Sequence, residues 1–225
     1  MNKRNALLVQ MVFRLLMFPV FMALMVLLPA GTVNYPEAYI YIGALTLPLL
    51  GAVIYFYRKD PSLLENRMKT KERRGAQKVF VLFASLSIVG AFVVSGLDRR
   101  FGWSNLPFWA SIGGDVLVFL SYLFIVYVFK TNSFASRVVE IQEAQKVVTT
   151  GPYAVVRHPM YTGMIVLYMA SPVALGSLWG MIPAALLIPM LVLRILNEEK
   201  LLKAELEGYE AYCRNQKFRL IPMVW

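Results

Sequence analysis

The chain has little of what most proteins use for metal or disulfide chemistry. Its 225 residues contain one cysteine, Cys213, and one histidine, His158. A lone thiol excludes an intrachain disulfide, and no Cys/His set is present for a metal site. Charge is scarce as well: 16% of residues against about 25% in soluble domains, while hydrophobic residues reach 58% against about 45–50%. That imbalance points to a bilayer protein. Acids are scarcer than bases, 13 against 23. The basic residues lie in short segments between apolar runs, a placement that membrane orientation explains and nucleic-acid binding does not. The sequence has no internal repeat, no low-complexity tract and no lipidation motif.

The charge-free runs set the architecture. From Asn5 to Pro36 the only charge is Arg14, residues 38–57 and 79–97 carry none, and Asp115 alone interrupts the stretch from Arg100 to Lys130. Each run matches the roughly 20 apolar residues of a spanning helix. Residues 159–193 are also uncharged. As one helix they would extend about 52 Å at 1.5 Å per residue, well beyond a hydrocarbon core of about 30 Å. Pro172, Gly176, Gly180 and Pro183 supply break points, so the run is read as a tight hairpin over 160–176 and 179–197. The expectation is an all-α integral membrane protein with about six transmembrane helices. Residues 1–130 hold the four N-terminal spans and a basic loop, 58–78. Residues 131–225 form the region expected to carry the chemistry.

Orientation follows from the loops. Segment 58–78 has eight basic and three acidic residues, and an excess of Lys and Arg marks the cytoplasmic side. Lys3 and Arg4 agree, whereas Arg99 and Arg100 beside Asp98 dissent mildly. Six crossings then place both termini, the 130–160 connector and the tail after Arg194 in the cytoplasm. The N-terminus superficially resembles a secretory signal, but Arg14 interrupts a long apolar stretch and LLPAG is a poor cleavage site. It is read as a retained helix. Arg14 is read as snorkelling toward the cytoplasm. Loop 58–78 is read as a solvated segment touching anionic lipid.

Two polar clusters flank the hairpin. The first is GPYAVVRHPMYTG, residues 151–163. Gly151 and Pro152 make a turn, and Pro159 fits the first turn of a helix, where its missing N–H is no loss. His158 therefore stands just ahead of a helix start, beside the fixed charge of Arg157, in a corner suited to an anionic group. The bland alternative is an interfacial cap in which Arg157 and Tyr161 face headgroups. The second cluster begins RILNEEK at Arg194 and runs as RILNEEKLLKAELEGYEAYCRNQKFRLIP to Pro222. Arg194 and Glu198 share a helix face, and an amphipathic surface helix is expected to end at Gly208. A simple intrahelical pair is the bland reading here, weakened because Arg before Glu is the poorer order and because charge at membrane depth is costly. The hairpin returns the chain to the face it left, so His158, Arg194, Glu198 and Glu199 are expected around one cytosol-facing pocket.

At these residues the chain resembles the isoprenylcysteine carboxyl methyltransferase family and, more broadly, integral-membrane methyltransferases that include the phospholipid methyltransferases. The shared pattern is GPYxxxRHPxYxG, a hydrophobic hairpin, RxxxEE and a Tyr-rich tail ending in Ile-Pro. It is carried here by Gly151, Pro152, Tyr153, Arg157, His158, Pro159, Tyr161, Gly163, Arg194, Glu198, Glu199, Tyr209, Tyr212, Ile221 and Pro222. The resemblance implies S-adenosyl-L-methionine as cofactor. It implies that Tyr153, His158, Tyr161 and Glu199 contact it, with Arg157 and Pro159 in the same set and backbone near Val147 and Gly151 at its adenine end. It places Arg194 and Glu198 on the side of the methyl acceptor, a lipophilic molecule or lipidated substrate reached from the membrane lipids.

The acceptor stays open. A carboxylate is ionised near neutral pH and needs no base, and Arg194 can grip it bidentately. A lipid amine must shed a proton, which gives Glu198 the larger part. An NADPH-dependent membrane reductase is a rival class, disfavoured because the connector lacks a second basic cluster for a 2′-phosphate. A transporter or a scaffold would spread polar residues along the spans, where only Asp115 stands out. Asp115 is read equally as a functional acid or as a neighbour of the packing residues Gly113 and Gly114. The sequence does not fix the oligomeric state.

Overall fold

The computed structural model describes residues 3–68, 75–135, 141–142 and 144–225. The middle of the 58–78 loop (69–74) and part of the connector (136–140 and 143) lie outside the described residues. The helices are α1 (Lys3–Ala30), α2 (Pro36–Lys59), α3 (Pro61–Met68), α4 (Gly75–Phe101), α5 (Phe108–Thr131), α6 (Pro159–Ala174), α7 (Met181–Ala185), α8 (Leu187–Glu205) and α9 (Tyr209–Asn215), with one 3-10 turn at Gly151–Ala154. No strand occurs among the described residues. The protein is an all-α, multi-pass integral membrane protein. Five segments are long and apolar enough to cross a bilayer: 8–30, 36–59, 79–101, 108–131 and 181–205. Their outward faces carry unpaired apolar side chains such as Phe13, Leu47, Leu86 and Trp109, as lipid contact requires.

The expected hairpin is present but neither tight nor symmetric. Its first arm, α6, has only 16 residues, about 24 Å of helix. Its second arm is broken at Leu186 between α7 and α8. Pro189 explains the break, because it has no N–H to offer the Ala185 carbonyl one turn earlier. Nor do the arms chiefly pack on each other. α6 lies along α5, whereas α7 and α8 lie against α4. The close approach of α5 and α6 depends on absent side chains: a β-carbon at Gly114 would stand 2.5 Å from the Ala174 amide nitrogen, and one at Gly163 2.8 Å from Ile125. Small residues let helix backbones meet in this way. Asp115, next to Gly114, is 5% exposed, and neither carboxyl oxygen has a hydrogen-bond partner.

A second difference concerns the tail. α8 runs unbroken through Arg194 and Glu198 to Glu205, so the expected surface helix is the end of the last span itself. No Gly or Pro lies between Met190 and Glu205 to stop it. Gly208, at φ +82, then turns the chain into α9.

One core unites the N-terminal helices with the hairpin. Val26, Tyr41, Phe92, Val118, Leu167 and Ala174 meet in it. The Tyr35 hydroxyl donates to the Leu175 carbonyl, and Tyr41 donates to Ser171 Oγ at 2.8 Å. At the Leu175 end of the bundle, Asp98 accepts from Ser177 Oγ (2.5 Å), Ser104 Oγ (2.6 Å) and the Ser104 amide (2.6 Å). The arginines there are absorbed locally: Arg99 reaches Glu37 at 3.7 Å and the Tyr35 ring. At the other end, the C-termini of α2, α5 and α8 gather with the N-termini of α4 and α6. Contacts such as Lys130 with Tyr55 and Arg194 with Phe80 show this.

Candidate functional site

The site forms where α6 begins and α8 leaves the bundle. α6 starts at Pro159 with His158 as the residue before it. Gly151, at φ +58, turns the chain in front of it, and a β-carbon there would press to 3.2 Å from both Thr131 and the Tyr127 hydroxyl. The 3-10 turn thus seats Tyr153 against the end of α5. Its hydroxyl accepts from Asn132 Nδ2 at 3.0 Å, and its carbonyl accepts from the Tyr212 hydroxyl at 2.7 Å. Burial, partly opposed by the Asn132 bond, pushes the Tyr153 hydroxyl up to about 12.

Glu199 is the hub of the buried charges. Its Oε1 accepts from Arg157 Nε at 2.7 Å and lies 3.2 Å from His158 Nε2, while its Oε2 accepts from Arg219 Nε at 3.0 Å. Arg157 also donates to the carbonyls of Gln216 (2.7 Å) and Lys217 (2.9 Å). The amides of Arg157 and His158 donate to the carbonyls of Phe218 and Arg219, each at 2.9 Å. These bonds stitch the C-terminal tail onto the start of α6. Burial disfavours the Arg157 charge, but the hydrogen bond and charge of Glu199 outweigh it and hold the guanidinium above its ordinary range.

A second relay runs beside the first. The Tyr161 hydroxyl donates to Glu198 Oε2 at 2.7 Å and accepts from Arg194 Nε at 3.0 Å. Arg194 is only 6% exposed and lies 4.6 Å over the Phe80 ring. The imidazole of His158 stacks on Tyr161, with ring centroids 5.8 Å apart. The floor beneath is the apolar cluster of Ala84, Leu187, Leu191 and Ile195.

Above this floor lies a cleft lined by Val147, Tyr153, Arg157, His158, Pro159, Tyr161, Arg194, Glu198 and Tyr209, among others. Every expected site residue except two reaches its wall. Glu199 is buried behind it, engaged by the guanidiniums of Arg157 and Arg219 and by the His158 ring, and Gly151 stands in the turn that shapes it. Sequence reasoning missed Arg219, which grips Glu199 and lies over the Trp225 ring at 5.0 Å. It also missed Asn132 and Phe80, which hold Tyr153 and Arg194. Nothing in their spacing marks them, since each acts only through a distant partner.

The chemistry of the walls fits a sulfonium nucleoside. The rings of Tyr153, Tyr161, Tyr209 and Tyr212 crowd one cleft, and aromatic faces attract a cationic centre. The Tyr209 hydroxyl is buried beside the Cys213 thiol. The cleft volume is about 110 Å³, below the roughly 300–1,000 Å³ of ordinary ligand pockets. Within the connector the Gln145 amide donates to the Gln142 carbonyl at 3.1 Å, and the Gln142 amide donates to Gln145 Oε1 at 2.9 Å.

Residues 109–207 match the phospholipid methyltransferase family model. The matched segment runs from the start of α5 to the end of α8, and so covers the relay, His158 and Glu199 but not α9 or the tail. A comparison with curated proteins gives no match. The phospholipid methyltransferase match supports membrane-associated methyl transfer as the activity of this region.

Proposed function

We propose that the protein transfers a methyl group from S-adenosyl-L-methionine to a lipophilic acceptor held in the membrane, with a carboxylate as the acceptor group. The observation that carries this reading is the Arg194–Tyr161–Glu198 relay on the wall of an aromatic cleft, within a segment similar to membrane methyltransferases. When bound, the cofactor supplies an electrophilic methyl on a positively charged sulfur. Tyr153, His158, Pro159, Tyr161 and Tyr209 line the space it would fill, with Val147 toward the connector. Glu199 acts from behind that wall and Arg157 from within it, fixing His158 and the tail.

The chain's own contribution is position and field. Methyl transfer needs the two reacting atoms aligned a little over 3 Å apart, and holding them so supplies about 7–11 kcal/mol of the barrier. Arg194 is held by Tyr161 and Phe80, so its charge is preorganised toward an anionic acceptor rather than recruited during the reaction. The buried floor excludes water, which strengthens that field. By its charge pattern the site end of the bundle faces the cytoplasm, with loop 58–78 on the same side.

The phospholipid methyltransferase match keeps a second acceptor in play, a lipid amine. Glu198 then takes the proton that the nitrogen sheds, and Tyr161 is the group between it and Arg194. The deciding experiment is methyl-label transfer from S-adenosyl-L-methionine into a total membrane extract, followed by identification of the product as ester or N-methyl amine. Titration with S-adenosylhomocysteine and with NADPH tests the cofactor. Binding of NADPH alone would end the methyltransferase reading.

A further inference from the structure

The fold carries Arg67 against Met160, a residue of the cleft wall. Asp60 caps α3: its Oδ1 accepts from Ser62 Oγ at 2.6 Å and from the Leu63 amide at 3.1 Å. Leu63 is 1% exposed and anchors the helix to the bundle. Arg67 follows four residues later, hence on the same face, so the burial that seats Leu63 also turns Arg67 inward. Its guanidinium lies 4.6 Å over the Phe129 ring, and its Nη1 lies 3.8 Å from Met160 Sδ. Phe129 belongs to the last turn of α5. Met160 belongs to the first turn of α6 and lines the cleft together with Arg194.

A guanidinium from α3 therefore stands behind Met160 of the wall, in addition to those of Arg157 and Arg194 that line it. Arg67 sits near the α2 and α5 ends, which carry Arg58, Lys59 and Lys130, and such basic helix ends suit lipid headgroups. A guanidinium fork matches phosphate or carboxylate. We propose that Arg67 determines acceptor specificity by gripping an anionic group, phosphate or carboxylate, of an amphiphile whose reactive atom sits beside Arg194. The inference rests on the methyl-transfer reading and extends it: acceptors are anionic or zwitterionic lipids, never uncharged ones. It also gives the N-terminal half of the chain a direct part in the site.

The test uses the full chain in detergent, with Arg67→Gln and Arg67→Lys compared to wild type. Dioctanoyl phosphatidic acid, dodecanoate and uncharged dioctanoylglycerol serve as probes, read by thermal stabilisation across a concentration series. S-adenosylhomocysteine binding is measured in parallel. Wild type is expected to bind one or both anionic probes and to ignore dioctanoylglycerol, and whichever anion binds identifies the headgroup chemistry. Arg67→Gln is expected to weaken that binding by about tenfold or more, Arg67→Lys to restore part of it, and neither to change S-adenosylhomocysteine affinity. In turnover with extracted membrane lipid, the loss should appear as a raised KM rather than a lowered kcat. Equal anion binding in wild type and Arg67→Gln overturns the proposal, as does equal affinity for dioctanoylglycerol. Should Arg67→Gln not fold, the wild-type preference and the Arg67→Lys shift decide alone. Failure of wild type to bind S-adenosylhomocysteine defeats the methyl-transfer reading instead, and the anion series still judges Arg67.

Discussion

Arg157 donates from Nε to Glu199 Oε1 at 2.7 Å across 42 positions of sequence, and both side chains are buried. This bond joins the residue ahead of His158 to the second acid of the last span. Through the Arg157 contacts with the Gln216 and Lys217 carbonyls it also joins both to the tail.

Replacing Glu199 with Gln should therefore act on structure before chemistry. Arg157 and the half-buried Arg219 lose their counter-charge, and stranding a buried charge such as Arg157 costs about 3–5 kcal/mol. The expected outcome is a clearly lowered thermal midpoint, with faster hydrogen exchange at the Arg157 and His158 amides, which the tail carbonyls now protect. Unchanged exchange at those amides would show that the tail is held by other means.

His158 and Arg194 should separate in their effects. His158→Ala removes the ring stacked on Tyr161 and the contact with Glu199, so S-adenosylhomocysteine is expected to bind about tenfold more weakly. Arg194→Ala removes a preorganised charge from the acceptor side and should lower kcat by about 10²–10³ while leaving that affinity intact. Equal loss of affinity in both variants contradicts the division of roles.

Tyr153 predicts an alkaline limit. Its hydroxyl is pushed up to about 12 in the fold, against about 10 in the unfolded chain. Between those values the folded state keeps a proton that the unfolded state has lost, so stability falls as pH rises through that window and is fully present below it. Thermal midpoints measured across the range should show the decline, with a shallower slope in Tyr153→Phe. A matching slope in the variant assigns the effect to other tyrosines.

Gly114 tests the helix contact that supports the site from a distance. A methyl group there meets the Ala174 backbone at 2.5 Å, and overpacking of this kind costs about 1–3 kcal/mol. Gly114→Ala should lower the thermal midpoint measurably. Gly113→Ala, with open space around its β-carbon position, should not.

Much of this was legible from one dimension because the bilayer imposes a simple rule. Uncharged runs of sufficient length had to become helices, and Pro159 fixed where α6 starts. The hairpin's asymmetry was not legible. Composition alone gives no preference between α6 packing on α8 and α6 packing on α5. That choice belongs to Gly114 and Gly163, whose missing side chains matter only once a particular partner helix lies against them. Pro189 had the same latent character, a break visible only after the helix register is known.

The sequence by itself determined that the chain crosses a membrane several times and gathers its polar groups at the two ends of the last apolar run, since charge in hydrocarbon is costly. It also supplied the residue types of the site in order. Tertiary structure decided how those residues divide their work. Glu199 became a hub behind the wall because Arg157, His158 and Arg219 converge on it, while Glu198, one position away on the same helix, was left facing the cleft and bonded to Tyr161. Adjacent positions on a helix point about 100° apart, so only the packing around α8 settles which acid is buried between guanidiniums and which lines the cleft.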